Sequence, residues 1–108
     1  MIIEWPTERD IPSQRELWKE AFGDTDAFLD SFFRTAYSFD RSLVAKEGDR
    51  LIASLYWFDC EWSGKPCAYV YAVATDAAYR GRGVCSRLMS HMHDVLRSEG
   101  FSKAALSI

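Results

Sequence analysis

No apolar run in this chain approaches the roughly 20 residues that span a bilayer, so no membrane-spanning helix is expected. The N-terminus, Met1-Ile2-Ile3-Glu4, lacks the basic-then-apolar pattern of a secretory signal. Cysteine is scarce. Cys60, Cys67 and Cys85 are odd in number and show no CxxC spacing. That argues against a disulfide framework or a zinc site and fits a reducing cytoplasm, although a cross-strand Cys60–Cys67 pair stays open. Neither sign of charge dominates. The formal net charge is −3, which gives no global attraction to nucleic acid or to an anionic membrane. Internal repeats, low-complexity segments and linkers are also missing. One domain is therefore expected over all 108 residues.

What the chain does have is aromatic content and clear periodicity. Ile2-Ile3-Glu4-Trp5 reads as a short strand stopped by Pro6. Thr7 and Asp10 suit helix caps, and Ile11, Leu17, Trp18, Ala21 and Phe22 share one helical face up to Gly23. A second helix starts near Asp24-Thr25-Asp26 and carries the stripe Phe28, Leu29, Phe32, Phe33 and Ala36. That stripe is core by its spacing, and some of its rings are candidates to wall a pocket. Three strands follow in a meander, with turns at Glu47–Arg50 and Ser63–Pro66. The third, Cys67 to Thr75, is apolar almost throughout, as a central strand would be. Val84, Leu88, Met92, Val95 and Leu96 then recur at helical spacing up to Gly100, and residues 103–108 read as a last strand. Strand, helix and strand make a right-handed crossover with parallel strands.

The chemistry points to Tyr79-Arg80-Gly81-Arg82-Gly83-Val84-Cys85-Ser86, a glycine-punctuated loop opening a helix. Such a loop offers free N–H groups and the positive end of a helix dipole to an anion. A Walker loop requires Gly-Lys-Ser/Thr, and here Val84-Cys85 follow Gly83. A dinucleotide loop requires a third glycine where Ser86 stands. An RGG-type RNA segment would be repeated and disordered. His91 and His93, two apart, point to different sides of their helix, unlike zinc-binding i, i+4 pairs.

Arg80-Gly81-Arg82-Gly83-Val84-Cys85 resembles the Arg/Gln-x-x-Gly-x-Gly/Ala signature of the GNAT superfamily of N-acetyltransferases. Cys85 stands where Gly or Ala is usual. The element order matches that family too. The resemblance implies an α/β (α+β) fold with a mixed, mostly antiparallel sheet in the order β-α-α-β-β-β-α-β, and a parallel strand pair splayed at the cofactor site. It implies a single domain over 1–108 that stops before the family's later helix and last two strands.

The resemblance further implies acetyl-CoA as cosubstrate, with no metal. Its pyrophosphate would lie on Gly81, Arg82, Gly83, Val84, Cys85 and Ser86, with charge added by Arg80 and Arg82. Its pantetheine would run along Val73, Ala74 and Thr75, and an N–H of Val73 or Ala74 would polarise the thioester. Direct attack by a neutral amine needs a base. The candidates are Asp59, Glu61, Tyr69 and Tyr71, with Tyr71 and Glu61 preferred as the catalytic pair. The acceptor is expected to be a small-molecule or protein amine, and the acidic balance favours a cationic one. The remaining expectations are a cytoplasmic location, no nucleic-acid or membrane partner, and a homodimer through the open sheet edge. The alternative is a non-catalytic acetyl-CoA-binding module.

Overall fold

The computed structural model describes residues 1–101 and the backbone of 103–106. Its strands are β1 (Ile2–Glu4), β2 (Ser42–Glu47), β3 (Arg50–Trp62), β4 (Lys65–Thr75) and β5 (Lys103–Leu106). Its helices are α1 (Ile11–Phe22), α2 (Asp26–Thr35) and α3 (Val84–Ser98). The strands form one sheet in the order β1-β2-β3-β4-β5. The first four pair antiparallel, and β5 runs parallel to β4. This is the expected mixed sheet. The β4–β5 ladder is described from Cys67↔Lys103 to Val70↔Leu106. The expected splay past that point rests partly on residues 107–108, which lie outside the described residues.

The helix limits follow from capping. Thr7 N–H donates to Asp10 Oδ2 at 2.8 Å ahead of α1, and Gly23, with φ of 71°, returns its N–H to the Lys19 carbonyl at 2.8 Å. Thr25 Oγ1 accepts from Phe28 N–H at 3.1 Å and so starts α2. Asp10 is buried and pairs with Lys46 Nζ at 2.8 Å. Burial pushes its carboxyl pKa up, but the bonds from Lys46 and Thr7 outweigh burial and leave it below the ordinary value.

The two sheet faces have different covers. On one, α3 lays down Val84, Leu88, Met92 and Leu96 against Leu55, Trp57, Ala68 and Val70. On the other, Trp18 of α1 and Leu29 and Phe32 of α2 close over Tyr56. Each fully buried aliphatic side chain contributes about 1.5–3 kcal/mol of transfer free energy. A polar knot lies within the α1 layer. Gln14 is fully buried, and its Nε2 donates to Ser42 Oγ and Ser54 Oγ, both at 3.0 Å. Its Oε1 accepts from the Tyr37 hydroxyl at 2.6 Å. One side chain thus ties α1 to β2, to β3 and to the segment after α2.

One expectation needs correcting. Cys60 and Cys67 face each other in the β3–β4 register and form a disulfide, with Cα atoms 5.0 Å apart. Cysteine count and spacing ignore register, and direct opposition on antiparallel strands supplies the short separation a disulfide needs. The bond removes the cysteine argument for a reducing compartment. Among the described residues, no helix is long and apolar enough to cross a membrane.

Gln14→Ala should destabilise the protein by about 1–3 kcal/mol in denaturant unfolding, because buried hydroxyls lose their partner. A change within a few tenths of a kcal/mol would mean that the knot does not hold α1 to the sheet.

Candidate functional site

The site begins with a mismatch in strand length. Ser54 faces Ala74 and Tyr56 faces Tyr71, so one residue of β3 stands against two of β4. The extra residue makes a β-bulge, and Ala72 absorbs it at φ of 50°. For a residue with a Cβ, that region costs about 1–2 kcal/mol. The side chains record the shift. Tyr71 and Ala72, though consecutive, both pack toward the Trp18–Phe32 cluster, while Val73 packs against the α3 side. A bulge interrupts the ladder and bends its strand, so β4 changes direction in the middle of the sheet.

Beyond β4 the chain makes a 3-10 turn over Ala77–Tyr79, capped by Asp76. Asp76 Oδ1 accepts from Ala78 N–H at 2.9 Å, and Asp76 Oδ2 accepts from Arg50 Nη2 at 2.8 Å. The backbone bond and the arginine both hold this carboxyl pKa below its ordinary value. Asp76 N–H donates to the Ile52 carbonyl at 2.7 Å, which fixes the turn to β3. Arg80 Nε folds back on the Thr75 carbonyl at 3.2 Å, and the Arg82 guanidinium lies 5.3 Å from the Tyr79 ring centre.

Gly81 and Gly83 follow, each at φ of 76°. A Cβ at either would meet nothing within 4 Å, so the glycines serve the left-handed backbone and the loop is open in front. The first helical bond of α3 is donated by Arg87 N–H to the Gly83 carbonyl at 3.1 Å. Among the described residues, no backbone N–H from Gly81 to Ser86 has a protein acceptor, and Gly83 supplies no side-chain cap. An uncapped run of amides at the positive end of a 15-residue helix is suited to an anion. Cys85 and Ser86 are exposed there, whereas Val84 is buried under the loop.

The preferred catalytic pair, Tyr71 and Glu61, is not brought together. Tyr71 opposes Tyr56, and Glu61 lies five residues further along β3, about 17 Å at strand rise. Strand alternation also puts Glu61 on the other face. Asp59 shares that other face and is held by Arg41, with Nε to Oδ1 at 2.6 Å and Nη2 to Oδ2 at 3.0 Å. Tyr71 is partly buried beside the bulge, with its ring 4.7 Å from Phe58 in a near-parallel stack. Burial, then the neighbouring Tyr56, push its hydroxyl pKa well above the ordinary tyrosine value. It therefore stays protonated at neutral pH and can donate a hydrogen bond but not act as a base. His91 and His93 are both exposed on α3.

Sequence reasoning missed Phe58 as a neighbour of Tyr71, and named Tyr69 only as a candidate base and Trp18 only as part of the apolar face of α1. Phe58 and Tyr69 continue its row of rings along β3 and β4, and strand alternation was the available signal. Trp18, 6.0 Å from Tyr71, is locked by its Nε1 donating to Asp24 Oδ2 at 2.7 Å. No sequence signal marks the bulge, because Ala72-Val73-Ala74 contains neither glycine nor proline.

Comparison with known proteins places the fold. A family model described as an acetyltransferase (GNAT) domain matches residues 3–107. Among solved structures, a GCN5-related N-acetyltransferase from Kribbella flavida superposes with a TM-score of 0.82 at 26% identity, covering 93% of this chain and 28% of that one. A ribosomal-protein-alanine N-acetyltransferase from Brucella melitensis gives 0.79 at 17% identity, covering 98% and 78%. An aminoglycoside acetyltransferase from an uncultured soil metagenomic sample, in complex with sisomicin, gives 0.76 at 21%, covering 99% and 76%. No curated protein matches significantly.

Burial also raises the hydroxyl pKa of Tyr37 and Tyr56. A raised folded-state pKa contributes stability that is present below the unfolded value of about 10 and lost as pH rises through the folded value. Spectrophotometric titration should therefore show Tyr37, Tyr56 and Tyr71 ionising only as the chain unfolds. Reversible ionisation of all tyrosines near pH 10 in folded protein would contradict this burial.

Proposed function

The chain belongs to the GNAT acetyltransferase family, and on that premise we propose that it transfers the acetyl group of acetyl-CoA directly to an amine nitrogen. One observation carries the reading: the amides from Gly81 to Ser86, uncapped and without a partner among the described residues, open α3 soon after a strand bent by a bulge. The amides suit the pyrophosphate, with Arg80 and Arg82 contributing charge beside it. The backbone of Val73, Ala74 and Thr75 then extends from the bulge to the loop, along the path the pantetheine would take as an added strand.

Acetyl-CoA supplies the acetyl group as a thioester. The amine lone pair attacks the carbonyl carbon, a C–N bond forms and the C–S bond breaks with its electron pair on sulfur. The nitrogen gives up a proton to solvent, and the thiolate takes one up. In this chain, the N–H of Val73 or Ala74 polarises the carbonyl and holds the negative charge that develops on its oxygen. Tyr71 serves as a protonated hydrogen-bond donor beside the reacting centre. Glu61 and Asp59, on the other face, take no part in this reading.

Two measurements test it. Coenzyme A should raise the melting temperature, and thiol should be released when acetyl-CoA meets a suitable amine. Gly83→Glu strains a left-handed position and sets a carboxylate before the amides, so it should abolish the thermal shift while the fold persists by circular dichroism. An undiminished shift in that variant would remove the loop from the cofactor site.

A further inference from the structure

We propose that the acceptor is a primary amine carried on a flat, apolar body, and that it stacks on the ring ladder of Phe58, Tyr69 and Tyr71, with Phe58 setting the preference. This rests on the acetyltransferase reading and names the substrate class of the same site.

The ladder follows from register. Tyr56 faces Tyr71 and Phe58 faces Tyr69, so these rings stand on one face of the β3–β4 hairpin. Phe58 and Tyr71 stack at 4.7 Å with 16° between planes, and Tyr69 is 6.5 Å from Tyr71. Next to the bulge the row lies under the α1–α2 layer, where Tyr56 is only 2% exposed. Further out it emerges, with Phe58 at 39% and Tyr69 at 42%. An apolar platform therefore starts beside the reacting carbonyl and extends outward by about 7 Å per pair of residues. Flat rings in a row favour an offset-stacked guest.

Charge sharpens the choice. A polyamine or aminoglycoside needs carboxylates to replace the water around its ammonium groups. Among the described residues, the aspartates on the elements that bear or cover the rings are turned away or engaged, while the unpaired Glu16 and Glu20 of α1 line a hollow with Asp49, Arg50 and Asp76, at the opposite end of β3 from Phe58. Asp59 faces the other way and is paired with Arg41. On the helical side, Asp24 accepts from Trp18, Asp26 is paired with Lys19 and Asp30 with Arg15. Lys65, opposite Trp62 at the far end of the hairpin, adds positive charge. The overall acidic balance, which favoured a cationic acceptor, is thus not expressed where the acceptor would lie.

The test compares kcat/KM for 2-phenylethylamine and tryptamine with that for spermidine and kanamycin, using the full chain and saturating acetyl-CoA. The arylalkylamines should lead by about tenfold or more, the scale on which apolar contacts discriminate. Phe58→Glu should cut their kcat/KM by a similar factor and move the ratio toward spermidine. Phe58→Leu, which keeps apolar volume and tests for misfolding, should retain most of it. Preference for the polycations, no change in ratio with Phe58→Glu, or turnover of none of these amines overturns the inference. The thermal shift with coenzyme A reports the cofactor half alone, so it decides separately whether the acetyltransferase reading stands.

Discussion

Between Tyr71 and Ala74, β4 holds one residue more than its partner strand can pair with. The excess is absorbed by Ala72 at a backbone angle that side-chain-bearing residues avoid. Such strain persists only where the surroundings over-determine it. Here Trp18 and Phe32 close over Tyr71 on one face, while Val73 packs on the α3 side on the other. Without that packing the strand would relax to regular pairing. With it, β4 bends in mid-sheet and delivers Thr75 and Asp76 to the turn that starts the glycine loop.

The loop was legible because its chemistry and its conformation coincide. Gly81 and Gly83 are needed for their left-handed backbone, and spacing was enough to reject the nucleotide motifs. The helices were legible for similar reasons, since Thr7, Gly23 and Thr25 mark ends by short-range bonds. The bulge was hidden, because Ala-Val-Ala has no residue that announces a positive φ. That Glu61 and Asp59 lie on the face opposite Tyr71 was not legible, because which face a strand residue takes depends on register, a long-range property. The Cys60–Cys67 bond was left open, and not expected, for the same cause: counting cysteines says nothing of which two stand opposite.

Two polar side chains buried at α1, Gln14 and Asp10, are matched, whereas the Tyr56 hydroxyl beneath Trp18 has no hydrogen-bond partner among the described residues. Gln14 uses both ends of its amide, and Asp10 has Lys46 and Thr7. Such satisfied groups fix how α1 sits on the sheet more than they add net stability. That placement matters because α1 carries Trp18, which rests on Tyr56 and Tyr71. The hydrogen bonds lie deep in the fold, and the ring they position lies next to the bend in β4.

The disulfide acquires a meaning here that its distance from the loop conceals. An extra residue in a ladder is free, in principle, to migrate, because pairing partners can be exchanged one at a time and the defect passed along. In this hairpin both exits are closed. Toward the tip, Cys60 and Cys67 are covalently opposed. Toward the loop, the Asp76 N–H clasps the Ile52 carbonyl. The defect is trapped between a covalent stop and a hydrogen-bonded one, and reduction of the bond would release it from only one side.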